Sequence, residues 1–387
     1  MATKWFNKRG YRVFGALGEY GESNAPVMPL ATLLNISYDN IKPFTKDILD
    51  EEQQQSEHFQ TSMNELSRGL HALLQFQDIL DVSLDLRDGE IVNRHYAYYE
   101  CLVYFRESIV SWLDGNVLSA LTLLRPFQEL AILHLYWYLR CRHDTYESYY
   151  CWLRDNKGKP GFLKTLHYVC KNMSSKGYVQ EKRVKDLSKL LQNIYNALSV
   201  YHHVTKIDES IVAQSGGFGN LALEYFLYYL ETVNIQLHQL VYLFVLTYPM
   251  SLFPVEKHKK WGFSRGPVGL FFDNTNYAIL EGYLGSQNTA SLKQSLASQD
   301  EVQSLLDWFQ SFPDLTPEEI DADWKAFAEG HQGLDKERQN QLGARLAIVK
   351  SFNRSAAWAL NYVVEKEKEA NISDEALEQL RKRVRNW

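Results

Sequence analysis

"LLRPFQELAILHLYWYL", residues 123–139, is apolar on almost every side of a helix. A surface helix keeps a polar stripe, and a helix without one has to be enclosed by others. The stretch lies within a helical pattern over 117–141. A second apolar pattern over 90–114 precedes it, divided from it by Asp114, Gly115 and Asn116. The spacing therefore predicts a central helix with a partner of similar character. Pro126, which removes one backbone donor and crowds the preceding turn, predicts a kink within it.

Working outward, helical periodicity recurs on both sides. After Pro43, apolar residues at three- and four-residue spacing predict a helix from Thr45 to about Leu80, which "DLRDGE" at 85–90 ends. Further helices are predicted over 144–155, 161–173, 178–203 and 220–248, with "NKGKPG" and "SGGFGN" as breaks. Residues 250–286, rich in glycine and aromatics, read as an ordered loop with room for a small hairpin. "TPEE" at 316–319 has the form of a capping box, with Pro317 at the first helical position. Helices over 334–370 and 373–385 complete the chain. Residues 1–43 read as an extended arm, with one short strand at most. Alternating strand patterns are missing, so no central parallel sheet is implied. The fold expected is mostly α. It has an arm (1–43), a central helical bundle (44–250), an aromatic and glycine-rich segment (251–286) and a C-terminal helical region (287–387).

The 387 residues are 45% hydrophobic, with 24 Tyr, 19 Phe and 9 Trp, a composition that supports a thick core. The net charge of −6 gives no whole-chain attraction to nucleic acid or anionic membrane, so any such attraction must be local. The first residues, "MATKWFNKRGYRV", lack the apolar core of a secretory leader, and a cytoplasmic location is the expectation. Cys101, Cys141, Cys151 and Cys170 show no disulfide framework and read as reduced thiols. The apolar run from Leu221 to Phe253 contains Glu224, Glu231, His238 and Pro249. It reads as a buried helix, and no membrane partner is expected.

The charges inside the two central helices are the first candidates for a site. Arg125 and Glu129 stand one turn apart, and Glu100, Arg106 and Glu107 lie in the helix before. Charges in such surroundings must pair or line a polar cavity. One reading is structural ion pairs. The other is an interhelical pocket that also takes in His202 and His203, at the end of "IYNALSVYHHVTK". Histidines there also suit a helix C-terminus, where the dipole favours a cation.

"SALTLLRPFQELAILHLYWYLR" followed by "IYNALSVYHHVTK" resembles the HEPN-type helical proteins of prokaryotic defence systems, over residues 90–250. The resemblance implies a metal-independent ribonuclease in which an arginine polarises phosphate and a histidine moves a proton. Here those roles would fall to Arg125, Glu129, His202 and His203. No arginine stands between Lys189 and His202, so the cation would come from a different helix.

Three other stretches carry chemistry. Cys141, His143, Cys151, His167 and Cys170 could ligate zinc, but their spacing matches no zinc motif, and no metal or cofactor is expected. "SGGFGN" could cradle an anion at a helix start, or simply connect two helices. Two basic segments mix cations with aromatics in the way that suits phosphate contact with base stacking. They are Lys257, Lys259, Lys260, Trp261 and Arg265, and the tail Arg381, Lys382, Arg383 and Arg385. No Walker loop, dinucleotide fingerprint, nucleophile elbow or HExxH motif is present. The expectation is a bacterial binding protein of an antiviral defence system. Its partners would be a protein of the same system, a second copy of itself, RNA or single-stranded DNA. The alternatives are the HEPN-like ribonuclease and a nucleotide or small-ligand sensor in the interhelical pocket.

Overall fold

The computed structural model describes residues 57–80, 84–87, 90–93, 95–141, 147–155, 160–175, 177, 180–202, 219–261, 271–320 and 322. They form a mostly helical protein. Among the described residues the chain divides into two compact units. The first takes the residues up to Leu74, His95–Thr247 and Ile279–Leu292; the second takes Gln75–Arg94, Tyr248–Ala278 and the residues from Lys293 onward.

The first unit is built around helix α3. Helix α1 runs Glu57–Gln75, α2 Tyr96–Leu113, α3 Val117–Cys141, α4 Glu147–Asp155, α5 Phe162–Ser175, α6 Glu181–His202 and α7 Gly219–Thr247. Helices α2, α5, α6 and α7 all pack on α3. Leu121, Leu124, Phe127, Ala131, Ile132 and Leu135 of α3 are buried, as an all-round apolar helix requires. The helix runs unbroken through Pro126.

The turn between α2 and α3 follows from three residues. Gly115 takes φ 76°, the left-handed conformation that glycine adopts without a Cβ penalty. Its N–H reaches Trp112 O at 2.8 Å and the Asn116 N–H reaches Ser111 O at 2.8 Å, which closes a Schellman motif. The Asn116 side chain then accepts from Ser119 N, capping α3. Helices α2 and α7 are locked by hydrogen bonds in the core. Ser108 Oγ donates to Ala120 O at 2.7 Å, so the Tyr229 hydroxyl 2.9 Å away is the donor to Ser108. Trp112 Nε1 donates to Phe226 O, and its ring stacks on Phe226 at 4.2 Å.

A cluster of rings fills the other end of this core. His134 of α3 lies 5.4 Å from His95, 5.5 Å from Tyr98 and 5.7 Å from Phe244. Tyr98 in turn donates to Leu73 O of α1 at 2.8 Å. Burial, with His95 as a second cause, holds the His134 imidazole well below its usual range. Burial lowers His71 of α1 to about 4.

In the second unit, strands β1 (Leu84–Arg87) and β2 (Glu90–Asn93) form an antiparallel hairpin with Arg87 opposite Glu90. This corrects two expectations, of "DLRDGE" as a simple break and of a helix starting at 90. Asp-Gly between two strand-forming runs is itself a hairpin signal. The segment 250–286 is also more helical than its glycines imply. Helices α8 (Lys257–Trp261) and α9 (Asn274–Leu284) lie within it. Asp273 caps α9 by accepting from Asn276 N at 2.8 Å, and Gly285 at φ 86° follows its end. Helices α10 (Ser286–Ala297) and α11 (Asp300–Gln310) follow. The predicted capping box is present: Thr316 N donates to Glu319 Oε2 at 2.8 Å and Glu319 N to Thr316 Oγ1 at 3.2 Å. The expected N-terminal arm and the helices over 334–370 and 373–385 lie outside the described residues.

Two predictions follow from the first unit. A Cβ on Gly69 of α1 would sit 2.6 Å from Leu237 Cδ2 and 2.7 Å from the Tyr283 ring and hydroxyl. Gly69→Ala gains ~1 kcal/mol of helix propensity, but overpacking against a ring costs about 1–3 kcal/mol. The variant should therefore be less stable in urea unfolding, and a gain of stability would show that α1 has room to move. The second concerns pH. In the unfolded chain the imidazoles of His71 and His134 take up a proton near pH 6.5 (about 6.5 for a free side chain); in the folded protein they resist it until lower pH. Stability is therefore full above about pH 6.5 and falls as pH drops toward about 4. The urea midpoint should fall between about pH 7 and 5.5, and His134→Phe should flatten that slope.

Candidate functional site

The sequence points to Arg125 and Glu129, and the structure gives both of them partners on α6. Arg125 Nη2 donates to the Tyr195 hydroxyl at 2.8 Å, Tyr195 donates to Glu129 Oε1 at 2.9 Å, and Arg125 Nε lies 3.3 Å from the same carboxylate oxygen. Two hydrogen bonds to charged groups, through Tyr195, and one ion pair join the three side chains in a ring. The Arg125 guanidinium also lies 4.8 Å from the centre of the Tyr195 ring, on which Phe162 of α5 stacks at 4.0 Å. Burial first, then the opposing effects of Arg125 and Glu129, raises the Tyr195 phenol above its ordinary range, so it stays a donor.

One turn further in, the polar seam continues as amides. Gln128 Nε2 donates to Leu191 O at 2.8 Å, and Gln236 Nε2 of α7 reaches both Gln128 Oε1 at 3.0 Å and Leu124 O at 3.2 Å. Both glutamines are fully buried. The seam pins α6 and α7 to α3 at one level of the bundle. Arg106 and Glu107 stand apart from it and pair with each other at the surface.

His202 is the last residue of α6, seven positions beyond Tyr195 and so ~10 Å further along the helix axis. The Arg125 guanidinium is engaged at the level of Tyr195, not at the level of His202. His203 lies outside the described residues.

The basic loop residues are largely used within the chain. Lys257, expected as a phosphate contact, is buried at 4% exposure and cannot meet a polymer. Lys259 pairs with Glu256, which holds its ammonium above the usual range. Lys260 binds Phe312 O and Asp314 Oδ1, each at 2.7 Å, and thereby anchors α8 on residues 312–314. The Trp261 side chain, Arg265 and the tail cations Arg381, Lys382, Arg383 and Arg385 lie outside the described residues. Among the described residues, no cluster of three His, Cys, Asp or Glu could hold a metal ion. Burial pushes the Cys170 thiol up to about 11 and the Cys101 thiol well above its usual range, which makes both poor nucleophiles. No described helix is long and apolar enough to cross a membrane.

A surface that local charge patterning does not reveal lies on α5 and α6. The two helices pack on each other and on α3. The Phe162–Tyr195 stack sets the start of α5 beside the later part of α6, so they run antiparallel. Their inward faces carry Leu166, Val169, Val184, Leu187 and Leu191, all buried. Their outward faces carry Lys164, His167 and Lys171 on α5, and Lys182, Lys185 and Lys189 on α6, all exposed. Each set has the spacing i, i+3, i+7, which is one stripe of a helix. Lys185 pairs with Glu181 at 2.7 Å. Among the described residues, Lys164, Lys171, Lys182 and Lys189 make no ion pair. Arg183 turns aside, 4.7 Å over the Tyr242 ring, and fastens the start of α6 to α7. The sequence signal is present in the spacing, but the acidic Glu181 and Asp186 among these lysines hide it in any local charge sum.

No protein-family model, curated protein or solved structure matches this chain.

The closed ring predicts strong coupling between its members. Tyr195→Phe should cost about 0.5–1.5 kcal/mol in urea unfolding. A double-mutant cycle of Tyr195→Phe with Arg125→Gln should give an interaction term above the about 0.5 kcal/mol within which independent sites add. Simple additivity would show that the ring is geometry without energy.

Proposed function

We propose that this protein is a nucleic-acid-binding protein that engages the phosphate backbone with the outer face of α5 and α6. The observation that carries the reading is the pair of lysine stripes, exposed and without ion-pair partners among the described residues at Lys164, Lys171, Lys182 and Lys189, on two adjacent helices of a chain whose net charge is −6. Like charges at one helical turn repel. An acidic protein that gathers them on one face has a local field opposite to its overall one, and such a field attracts a polyanion and releases its counterions. The lysines at the ends of each stripe stand ~10 Å apart, enough to reach more than one phosphate.

The engagement of Arg125 with Glu129 and Tyr195 supports binding over ribonuclease chemistry. A guanidinium that serves the scaffold is not aimed at a scissile phosphate, and the histidine end of α6 lies about two turns away. Within this reading, Arg125, Glu129 and Tyr195 position α6, and the lysines meet the ligand.

The test is fluorescence anisotropy of the full chain with labelled single- and double-stranded oligonucleotides at several salt concentrations. Wild type should bind with an affinity that falls as salt rises. The quadruple variant Lys164→Gln, Lys171→Gln, Lys182→Gln and Lys189→Gln should bind at least about tenfold more weakly, with a salt slope shallower by about 0.7–0.9 for each phosphate that is no longer neutralised. Lys259→Gln should bind as wild type does. A wild type without salt-dependent binding, or a quadruple variant equal to it, would overturn the reading.

A further inference from the structure

We infer that the nucleic acid held on this face is a duplex, gripped across two strands by its backbone and without stacking of bases; this rests on the nucleic-acid reading above. Three observations carry it. First, the cations form two rows instead of one. Packed helices lie about 8–10 Å apart. With Phe162 opposite Tyr195 and the helices antiparallel, the α5 row of Lys164 and Lys171 and the α6 row of Lys182 and Lys189 run staggered along the axis and overlap near Lys171 and Lys189. Two rows of cations match two rows of phosphates. A duplex carries a charge every ~1.7 Å of axis, against ~3.4 Å for each of its strands.

Second, the face lacks the groups that single strands need. Surfaces that hold single strands stack successive bases on exposed aromatic rings. The Phe and Tyr rings described on α5 and α6 are buried or half-buried. Phe162 is buried against Tyr195 at 4.0 Å, Tyr195 is tied to Arg125 and Glu129, and Tyr168 meets Tyr136 at 5.0 Å. Among the described residues of the two helices, no Phe, Tyr or Trp side chain is exposed, and His167 is the one exposed ring.

Third, the face has no large apolar side to insert elsewhere. An amphipathic helix that lies on a bilayer buries its apolar stripe in the lipid. The apolar stripes of α5 and α6 are already buried on α3, and among their described large apolar residues only Leu163 at 50% and Leu190 at 36% exposure remain outside. Lysines on such a scaffold suit a polymer of regular charge better than an anionic bilayer.

The experiment uses the full chain against four probes of equal nucleotide length: duplex DNA, duplex RNA and one strand of each. Phosphatidylserine vesicles are the fifth. The duplexes should bind at least about tenfold more tightly than the strands at the same salt, and the quadruple lysine-to-glutamine variant should lose that preference. Either duplex in the lead satisfies the inference, and the order of the two identifies DNA or RNA. Strands that bind as tightly as duplexes, with the binding still abolished in the variant, would overturn the duplex inference and leave the nucleic-acid reading standing. Binding to vesicles alone, or to no probe, would overturn both. Circular dichroism of the variant, unchanged from wild type, shows that the surface and not the fold has been altered.

Discussion

Everything in the first unit depends on the need to enclose α3. A helix with apolar side chains on all sides is stable in water only when several others cover it. Helices α2, α5, α6 and α7 do this, and each then faces the same problem: α3 carries Arg125, Gln128 and Glu129 among its leucines. Covering those groups without partners would cost more than the apolar burial around them returns. The neighbours therefore bring polar groups inward at matched heights, Tyr195 and Leu191 O from α6 and Gln236 from α7. The polar seam fixes both the rotation and the height of α6, since a slip of one residue would part every one of these bonds.

The same constraint sorts the cations. A guanidinium is weakly hydrated and offers several donors in a plane, so it can be covered when a carboxylate and a hydroxyl are within reach. Arg125 meets both. An ammonium is a compact and strongly hydrated charge. The stripe lysines of α5 and α6 keep to solvent, while Lys260, with its side chain only 12% exposed, is held by a carbonyl and a carboxylate at once. The covered Arg125 and the solvent-facing stripe lysines thus follow from the hydration of the two groups.

How much of this is legible in the sequence differs from element to element, for physical reasons. Helix α3, the Asp114–Asn116 break and the capping box at Thr316 depend on local rules, and they stand where the residues place them. The hairpin and α9 are signalled by Asp88-Gly89 and by Asp273, but glycine and aromatic content in the same stretches gives the stronger and opposite signal. Tyr195 is invisible. A phenol in a helix pattern is an ordinary core residue until the register of α6 on α3 is known. That is why attention falls on His202 and His203, which are conspicuous, and not on the residue two turns earlier. The lysine stripes escape notice for a related reason. Sequence shows a helical spacing of cations, but only packing shows which stripe is covered and which is left to solvent.

The surface proposed to bind nucleic acid has a particular energetic character. The inward face of α6 is held by the Arg125 ring and by Gln128, its start by Arg183 on Tyr242, and its contact with α5 by Phe162 on Tyr195. The Cα positions of the lysines are therefore set before any ligand arrives. Association then orders only their side chains, at about 0.5–1.5 kcal/mol for each one immobilised, and needs no rearrangement of backbone. On the proposed reading the gain comes from counterion release, which depends on how many cations reach phosphate and scarcely on which bases lie between. On that reading, a pair of packed helices with lysines at fixed intervals would respond to the spacing of charge more than to base sequence. Any sequence preference would then have to come from another part of the chain or from a partner bound beside it.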